Sequence, residues 1–192
     1  APDTWRAALD ASPWISQPAD GDTESVDDTP LVFEHGLLYL RRYREYERHL
    51  ALGLRRIGAF SPEGGDLDAL ASLFAQLFPH ARTGDDLQAR AAAVALRHNL
   101  VLVTGGPGTG KTTTITRLLA LLTAQAQHAR RPAPRIALAA PTGRAAERMA
   151  ESLRLAVQRL RLVGIAPALC DAMPSTGTTL HRLLGVIPDS PR

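Results

Sequence analysis

The chain has 192 residues, 45% apolar and 21% charged, with a net charge of +3, values that suit a water-soluble globular protein of one domain or two small ones. Its single cysteine, Cys170, excludes an internal disulfide framework and offers no thiol spacing for zinc or iron, so a small buried hydrophobe is expected there. No run approaches the ~18 consecutive apolar residues of a membrane span and the acidic opening is unlike a secretory signal, so a cytoplasmic protein with no membrane partner is expected.

Charge is unevenly divided. Residues 1–84 hold 13 Asp/Glu against 8 Arg, a net of −5, whereas residues 85–192 hold 6 against 14 Arg and Lys, a net of +8. The second part is the candidate polyanion binder. Of 22 basic residues 21 are arginine, and the one lysine is Lys111. In so Arg-biased a chain, a solitary lysine marks a task for a compact ammonium that a planar guanidinium does not perform.

In chain order, residues 1–30 carry seven carboxylates and one Arg, and a short docked helix near 5–11 followed by an acidic loop is expected. The apolar runs 31–33 and 37–40, separated by Glu34-His35-Gly36, predict a β-hairpin with Gly36 in the turn and His35 as a turn residue. Over 41–56, Tyr43, Tyr46, Leu50 and Leu54 recur at helical spacing, an amphipathic helix whose stripe is expected in the core. Ser61-Pro62-Glu63-Gly64-Gly65 reads as a loop, 67–78 as a second apolar helix, and 79–84 as the breaker between domains 1–84 and 85–192.

Beyond it the pattern becomes alternating helices and short apolar strands. A helix capped by Asp85 runs to about 98, a buried strand is expected at 100–103, a glycine-rich turn at 105–110, and a helix from Lys111 to about 128. A second buried strand at 136–140, a long helix at 144–163, and a short helix capped by Thr178 or Thr179 and ending near Gly185 follow. This βαβα order predicts parallel strands. The fold class is therefore α/β: a small, mostly helical N-terminal domain, then part of a domain with parallel strands.

Gly105-Gly106-Pro107-Gly108-Thr109-Gly110-Lys111-Thr112 fits the pattern G-x-x-x-x-G-K-[ST], after a strand and before a helix, the setting that gives it meaning. The glycines let successive N–H groups converge on phosphate, and the helix adds its positive N-terminal end. Lys111 then reaches the β- and γ-phosphates, and the Thr112 hydroxyl, with Thr113 beside it, faces a Mg²⁺ ion. Gln88, seventeen residues before Gly105, has two readings. Asp85-x-x-Gln88 is a capping-box spacing, and many helicases place an adenine-reading amide shortly before a P-loop strand.

After the second strand, Pro141, Thr142 and Arg144 offer a hydroxyl, helix N–H groups and a cation at a sheet edge where ligands bind. They suit the phosphate backbone of single-stranded DNA, or are an ordinary Thr cap and a solvated Arg. Thr179 and His181 are similarly open between a DNA contact and a helix cap. The face with Arg148, Arg154, Arg159 and Arg161 reads as solvated, and Pro167 argues against a strand at Leu169-Cys170-Asp171.

The stretches Leu87-Gln88-Ala89, 105–114, 139–146 and Thr179-Leu180-His181-Arg182-Leu183-Leu184-Gly185 together resemble the alpha subunits of exodeoxyribonuclease V, the RecD helicases of RecBCD complexes, in the order found there. The segment from Leu38 to Glu47 is similar to that family's N-terminal domain, more weakly. The resemblance implies that residues 85–192 are the first part of a RecA-like P-loop domain, in a superfamily 1 ATP-dependent helicase moving 5′→3′ on single-stranded DNA in double-strand break repair, with beta and gamma subunits as partners and the N-terminal domain docked on gamma. It implies that Gln88 reads adenine, that residues 105–112 hold ATP and Mg²⁺, and that Thr142, Arg144, Thr179 and His181 lie along the DNA. Arg144 stands where lysine is common. No apolar strand ending in Asp-Glu follows Thr112, so the family's acidic Mg²⁺ pair is expected past Arg192, in a piece that at most binds nucleotide. A P-loop kinase and a partner-docking module are the alternatives.

Overall fold

The computed structural model describes residues 2–18, 29–60, 67–81 and 86–186. The acidic loop over 19–28, the loop at 61–65, residues 82–84 of the breaker, and Asp85 lie outside them. The chain forms two compact units, Ala1–Ala59 and Phe60–Arg192.

In the first unit, helix α1 (Pro2–Asp10) precedes a three-stranded sheet. Strand β1 (Ile15–Ser16) pairs in parallel with β2 (Leu31–Glu34), which pairs antiparallel with β3 (Leu37–Leu40). His35 and Gly36 take φ of 51° and 78°, the two positive values of a tight turn matched to strand twist. The hairpin is thus as its sequence predicts. Helix α2 (Arg41–Ala59) follows without a break.

The side of α2 facing the sheet is polar. Arg44 donates from Nε to Glu34 Oε2 at 2.8 Å and from Nη2 to Glu34 Oε1 at 2.9 Å, while its Nη1 reaches Glu45 at 2.9 Å. Arg41 donates to the Thr29 carbonyl, to Ser16 Oγ at 2.5 Å and to Thr29 Oγ1 at 2.7 Å. Arg44 is buried, and its paired hydrogen bonds offset the cost of desolvating it. They also hold the Glu34 carboxyl below its usual range. The expected core stripe therefore faces outward: Tyr43, Tyr46, Leu50 and Leu54 are all exposed, Leu50 at 62%. Periodicity located the stripe, but three short strands offer too little area to cover it. Trp5, at 75% exposure, likewise is no anchor for α1.

In the second unit a hydrophobic cluster joins several helices. A 3₁₀ turn at Asp68–Leu70 leads into α3 (Ala71–Leu77), and the helices α4 (Leu87–Ala95) and α5 (Lys111–His128) follow. Leu70, Leu77 and Phe78 pack with Ala89, Ala92, Leu96, Ala120, Leu121 and Ala124. The expected boundary at 84/85 is therefore displaced: the helix before it contributes to the core after it, because its apolar face is buried by the cluster around α5. Small residues on α4 and α5 let the helix backbones approach closely. Thr114, Thr116 and Thr123 are buried on α5, satisfying their hydroxyls on the carbonyls of Gly110, Thr112 and Leu119 at 2.7–3.1 Å.

Strand β4 (Ala139–Ala140) leads through α6 (Gly143–Leu162) and α7 (Pro167–Asp171) to β5 (Thr178–Thr179), which pairs with it in parallel, Ala139 with Thr178 and Ala140 with Thr179. Helix α8 (Leu180–Leu183) closes the unit. Parallel strands are present, as expected, and β4 lies within the expected strand at 136–140, but its partner is β5 and not the run at 100–103. Residues 100–103 form no strand and have no ladder partner among the described residues, with Val101 and Val103 half-buried but Leu102 84% exposed. The run has the composition of a buried strand and is covered on one side only. Of 136–140, only the last two residues pair. Leu169-Cys170-Asp171 is helical with Pro167 in its first turn, and Cys170 is buried, as expected.

Candidate functional site

The glycine loop is exposed and its backbone is set by Gly108 at φ 77° and Gly110 at φ 80°. Gly110 is the N-cap of α5. Since Thr114 N–H is taken by Gly110 O at 2.9 Å, the amides of 111–113 are the free donors of that helix end. Thr109 Oγ1 donates to Gly106 O at 2.9 Å, and Lys111 Nζ arches over the loop to donate to Gly105 O at 2.7 Å, Gly106 O at 2.5 Å and Thr109 Oγ1 at 3.4 Å. An ammonium ion drawn over a ring of backbone groups at a helix N-terminus is an arrangement built for an anion. Thr112 and Thr113 occupy the first turn, half-buried.

Gln88 joins this group from a distance in sequence. Its Nε2 donates to Thr109 O at 3.1 Å, and its Oε1 accepts from Arg117 Nη1 at 3.4 Å. The capping reading of Gln88 is corrected by the geometry. Asp86 is the N-cap of α4, its Oδ1 accepting from the N–H groups of Gln88 and Ala89 at 3.0 Å each. The cap needs no help from the Gln88 side chain, which is turned to the loop instead. Arg117 was not singled out by the sequence reading. Its signal was there: it is the one charged residue of α5 between Lys111 and His128.

The second set lies at the ends of the paired strands. Thr142 is the N-cap of α6, accepting from Ala145 N at 3.3 Å, and Thr179 is the N-cap of α8, accepting from Arg182 N at 3.2 Å. Because Ala140 is in register with Thr179, α6 and α8 start from the same end of a parallel pair, although their caps are 37 positions apart in the numbering. Pro141, Arg144 and His181 are exposed around them. Farther along α6, Arg154 donates to Ser175 O at 2.8 Å and Arg161 to Asp171 at 2.5 Å, so these two arginines tie α6 to the segment before β5 while remaining solvated. Among the described residues no helix is long and apolar enough to cross a membrane, and no cluster of His, Cys, Asp and Glu is arranged to hold a metal ion.

A family model for the AAA domain matches residues 88–191. Over 98% of its length the chain is 43% identical to the RecBCD enzyme subunit RecD of Mycolicibacterium smegmatis, and over 97% it is 44% identical to that of Mycobacterium tuberculosis. The chain belongs to the RecD family. It spans about 30% of the length of those two relatives. A further RecD-family relative, the ATP-dependent RecD2 DNA helicase of Deinococcus radiodurans, is 33% identical over 85% of the chain and 20% of its own length. The RecD match runs through both compact units, whereas the AAA-domain match lies within the second.

Proposed function

We propose that this chain binds ATP with Mg²⁺ and forms the first motor segment of a 5′→3′ DNA helicase subunit in a RecBCD-type exonuclease V acting in double-strand break repair. The observation that carries it is the loop at the start of α5, with Lys111 held across the carbonyls of Gly105 and Gly106. Backbone groups of Gly105, Gly106, Pro107, Gly108, Thr109 and Gly110 surround the phosphates, and the free amides of Lys111, Thr112 and Thr113 face them. Lys111 exchanges its neutral carbonyl partners for phosphate oxygens, a stronger contact for an ammonium ion. The Thr112 hydroxyl holds one position on Mg²⁺, and Gln88 reads the base. When bound, the magnesium nucleotide supplies a γ-phosphoryl group for transfer to water. The loop places charge on one side of that group only, so the chain alone binds nucleotide and turns it over poorly.

Pro141, Thr142, Arg144, Thr179 and His181 are the proposed contacts to single-stranded DNA, supported by the shared opening of two helix N-termini beside a cation. The outward stripe of α2 is the proposed dock for the gamma subunit, with the beta subunit completing the complex. The names of the relatives favour this reading over a P-loop kinase. Titration of the chain with a fluorescent ATP analogue and Mg²⁺ tests it. Saturable binding that Lys111→Ala abolishes is expected, and equal affinity in the two proteins refutes the assignment of the loop.

A further inference from the structure

The carboxamide of Gln88 is held at both ends, by Thr109 O on Nε2 and by Arg117 on Oε1. Arg117 is itself braced: its guanidinium carbon lies 5.1 Å from the centroid of the Phe78 ring, which is buried in the core. A primary carboxamide has two N–H donors and two oxygen lone pairs. Thr109 and Arg117 take one of each, leaving one of each. They also fix which end is which, since a carbonyl rejects an oxygen at one end and a guanidinium rejects an amino group at the other. The carboxamide keeps one donor and one acceptor, in a fixed order.

That remaining pair has a definite complement. The outer edge of adenine presents an amino donor next to the N7 acceptor, whereas guanine presents two acceptors, O6 and N7. An oxygen and an N–H in fixed order satisfy the first and oppose the second. We propose that Arg117 is a positioning residue that locks the Gln88 carboxamide and thereby gives the site its preference for adenine over guanine nucleotides. The proposal rests on the reading of Gln88 as the base contact. Without Arg117 the amide pivots on its single bond to Thr109, its reading edge is no longer aimed, and the two bases become nearly equivalent.

The test is competition of ATP, GTP and inorganic tripolyphosphate against a fluorescent ATP analogue, with Mg²⁺, on the wild-type chain and on Arg117→Met, Arg117→Lys and Gln88→Ala. Methionine keeps an apolar stem over Phe78, and lysine restores a donor. A wild-type preference for ATP of roughly tenfold is expected from one well-made against one opposed hydrogen bond. In Arg117→Met it should fall below about threefold with tripolyphosphate affinity unchanged, and Arg117→Lys should recover most of it. If Arg117→Met keeps the wild-type ratio while Gln88→Ala loses it, the role of Arg117 is overturned and the base contact stands. If the wild type does not discriminate, or Gln88→Ala discriminates as well as wild type, the base contact fails and this proposal with it. Parallel loss of tripolyphosphate affinity in Arg117→Met overturns positioning in favour of a general structural role.

Discussion

Gly110 is where the loop, α5 and Gln88 meet, and an alanine there tests that junction. Two costs arise. The backbone stands at φ 80° and ψ 18°, a left-handed conformation that costs a residue with a Cβ about 1 kcal/mol. A Cβ at this position would also overlap Gln88 Nε2. Because that atom ends a flexible side chain, the overlap is relieved by swinging Gln88 off Thr109 and Arg117, at about 1 kcal/mol for the hydrogen bonds lost. Gly110→Ala should therefore cost about 2 kcal/mol. Gly108 is the internal control, since it has φ 77° with nothing within 4 Å of its would-be Cβ, so Gly108→Ala should cost about 1 kcal/mol. Truncating Gln88 first removes the overlap, and the two changes at 88 and 110 should then be non-additive by about 1 kcal/mol. Urea unfolding followed by far-ultraviolet circular dichroism, read as shifts in midpoint at constant slope, compares the four variants with the wild type. Equal losses at 108 and 110, or strict additivity of the 88 and 110 changes, would refute the claim that Gln88 is seated against the loop.

Leu121 is fully buried in the α5 core, so Leu121→Ala should lose about 3 kcal/mol in the same unfolding assay. Leu50→Glu, on the outward stripe of α2, should leave stability within about 0.5 kcal/mol while weakening capture by a gamma subunit in a sedimentation assay; a large loss of stability would place the stripe in a core after all. Thr142→Ala removes the cap of α6 and should cost about 1 kcal/mol, with Thr142→Ser close to neutral, as read by chemical denaturation. The hydrogen bonds from Arg44 hold Glu34 below its ordinary pKa of 4.5. The folded state thus keeps a carboxylate that the unfolded chain protonates, so this stabilisation is complete above pH 4.5 and is lost as the pH falls toward the lowered folded value. Thermal melts across that range should show a drop for the wild type that is smaller in Glu34→Gln, the remainder including Glu45, which, against desolvation by burial, Arg48 and Arg44 also hold below its ordinary value.

What was legible in the sequence was local. The glycine loop and its lysine, the Asn-free hairpin turn at His35 and Gly36, the Thr caps of α6 and α8, and the Pro167 helix start all depend on residues within one or two turns of each other, so short-range sterics and hydrogen bonding specify them. The alternation of helices was likewise readable from spacing. Misreadings arose where a run of apolar residues needed a distant surface. Tyr43, Tyr46, Leu50 and Leu54 have helical periodicity, and nothing in that period says whether the covering surface lies in the same unit. Leu100, Val101, Leu102 and Val103 have strand composition, and a strand exists only if another segment pairs with it. The helix at Ala71–Leu77 was assigned to the wrong side of the boundary because its partner, Leu121, lies more than forty positions on.

The site divides in the same way. The sequence by itself determined the glycine turn at 105–110 and the helix that starts at Lys111, since the turn, the lysine and the helix start are contiguous and are set by short-range sterics. Only the tertiary structure decided that Gln88 is pinned between Thr109 and Arg117, and that the helices capped by Thr142 and Thr179 start from the same end of one parallel pair. Those facts depend on how α4 packs on α5 and how Ala140 comes into register with Thr179. Such packing is a property of whole surfaces brought together by the burial of apolar area, which short-range spacing does not encode.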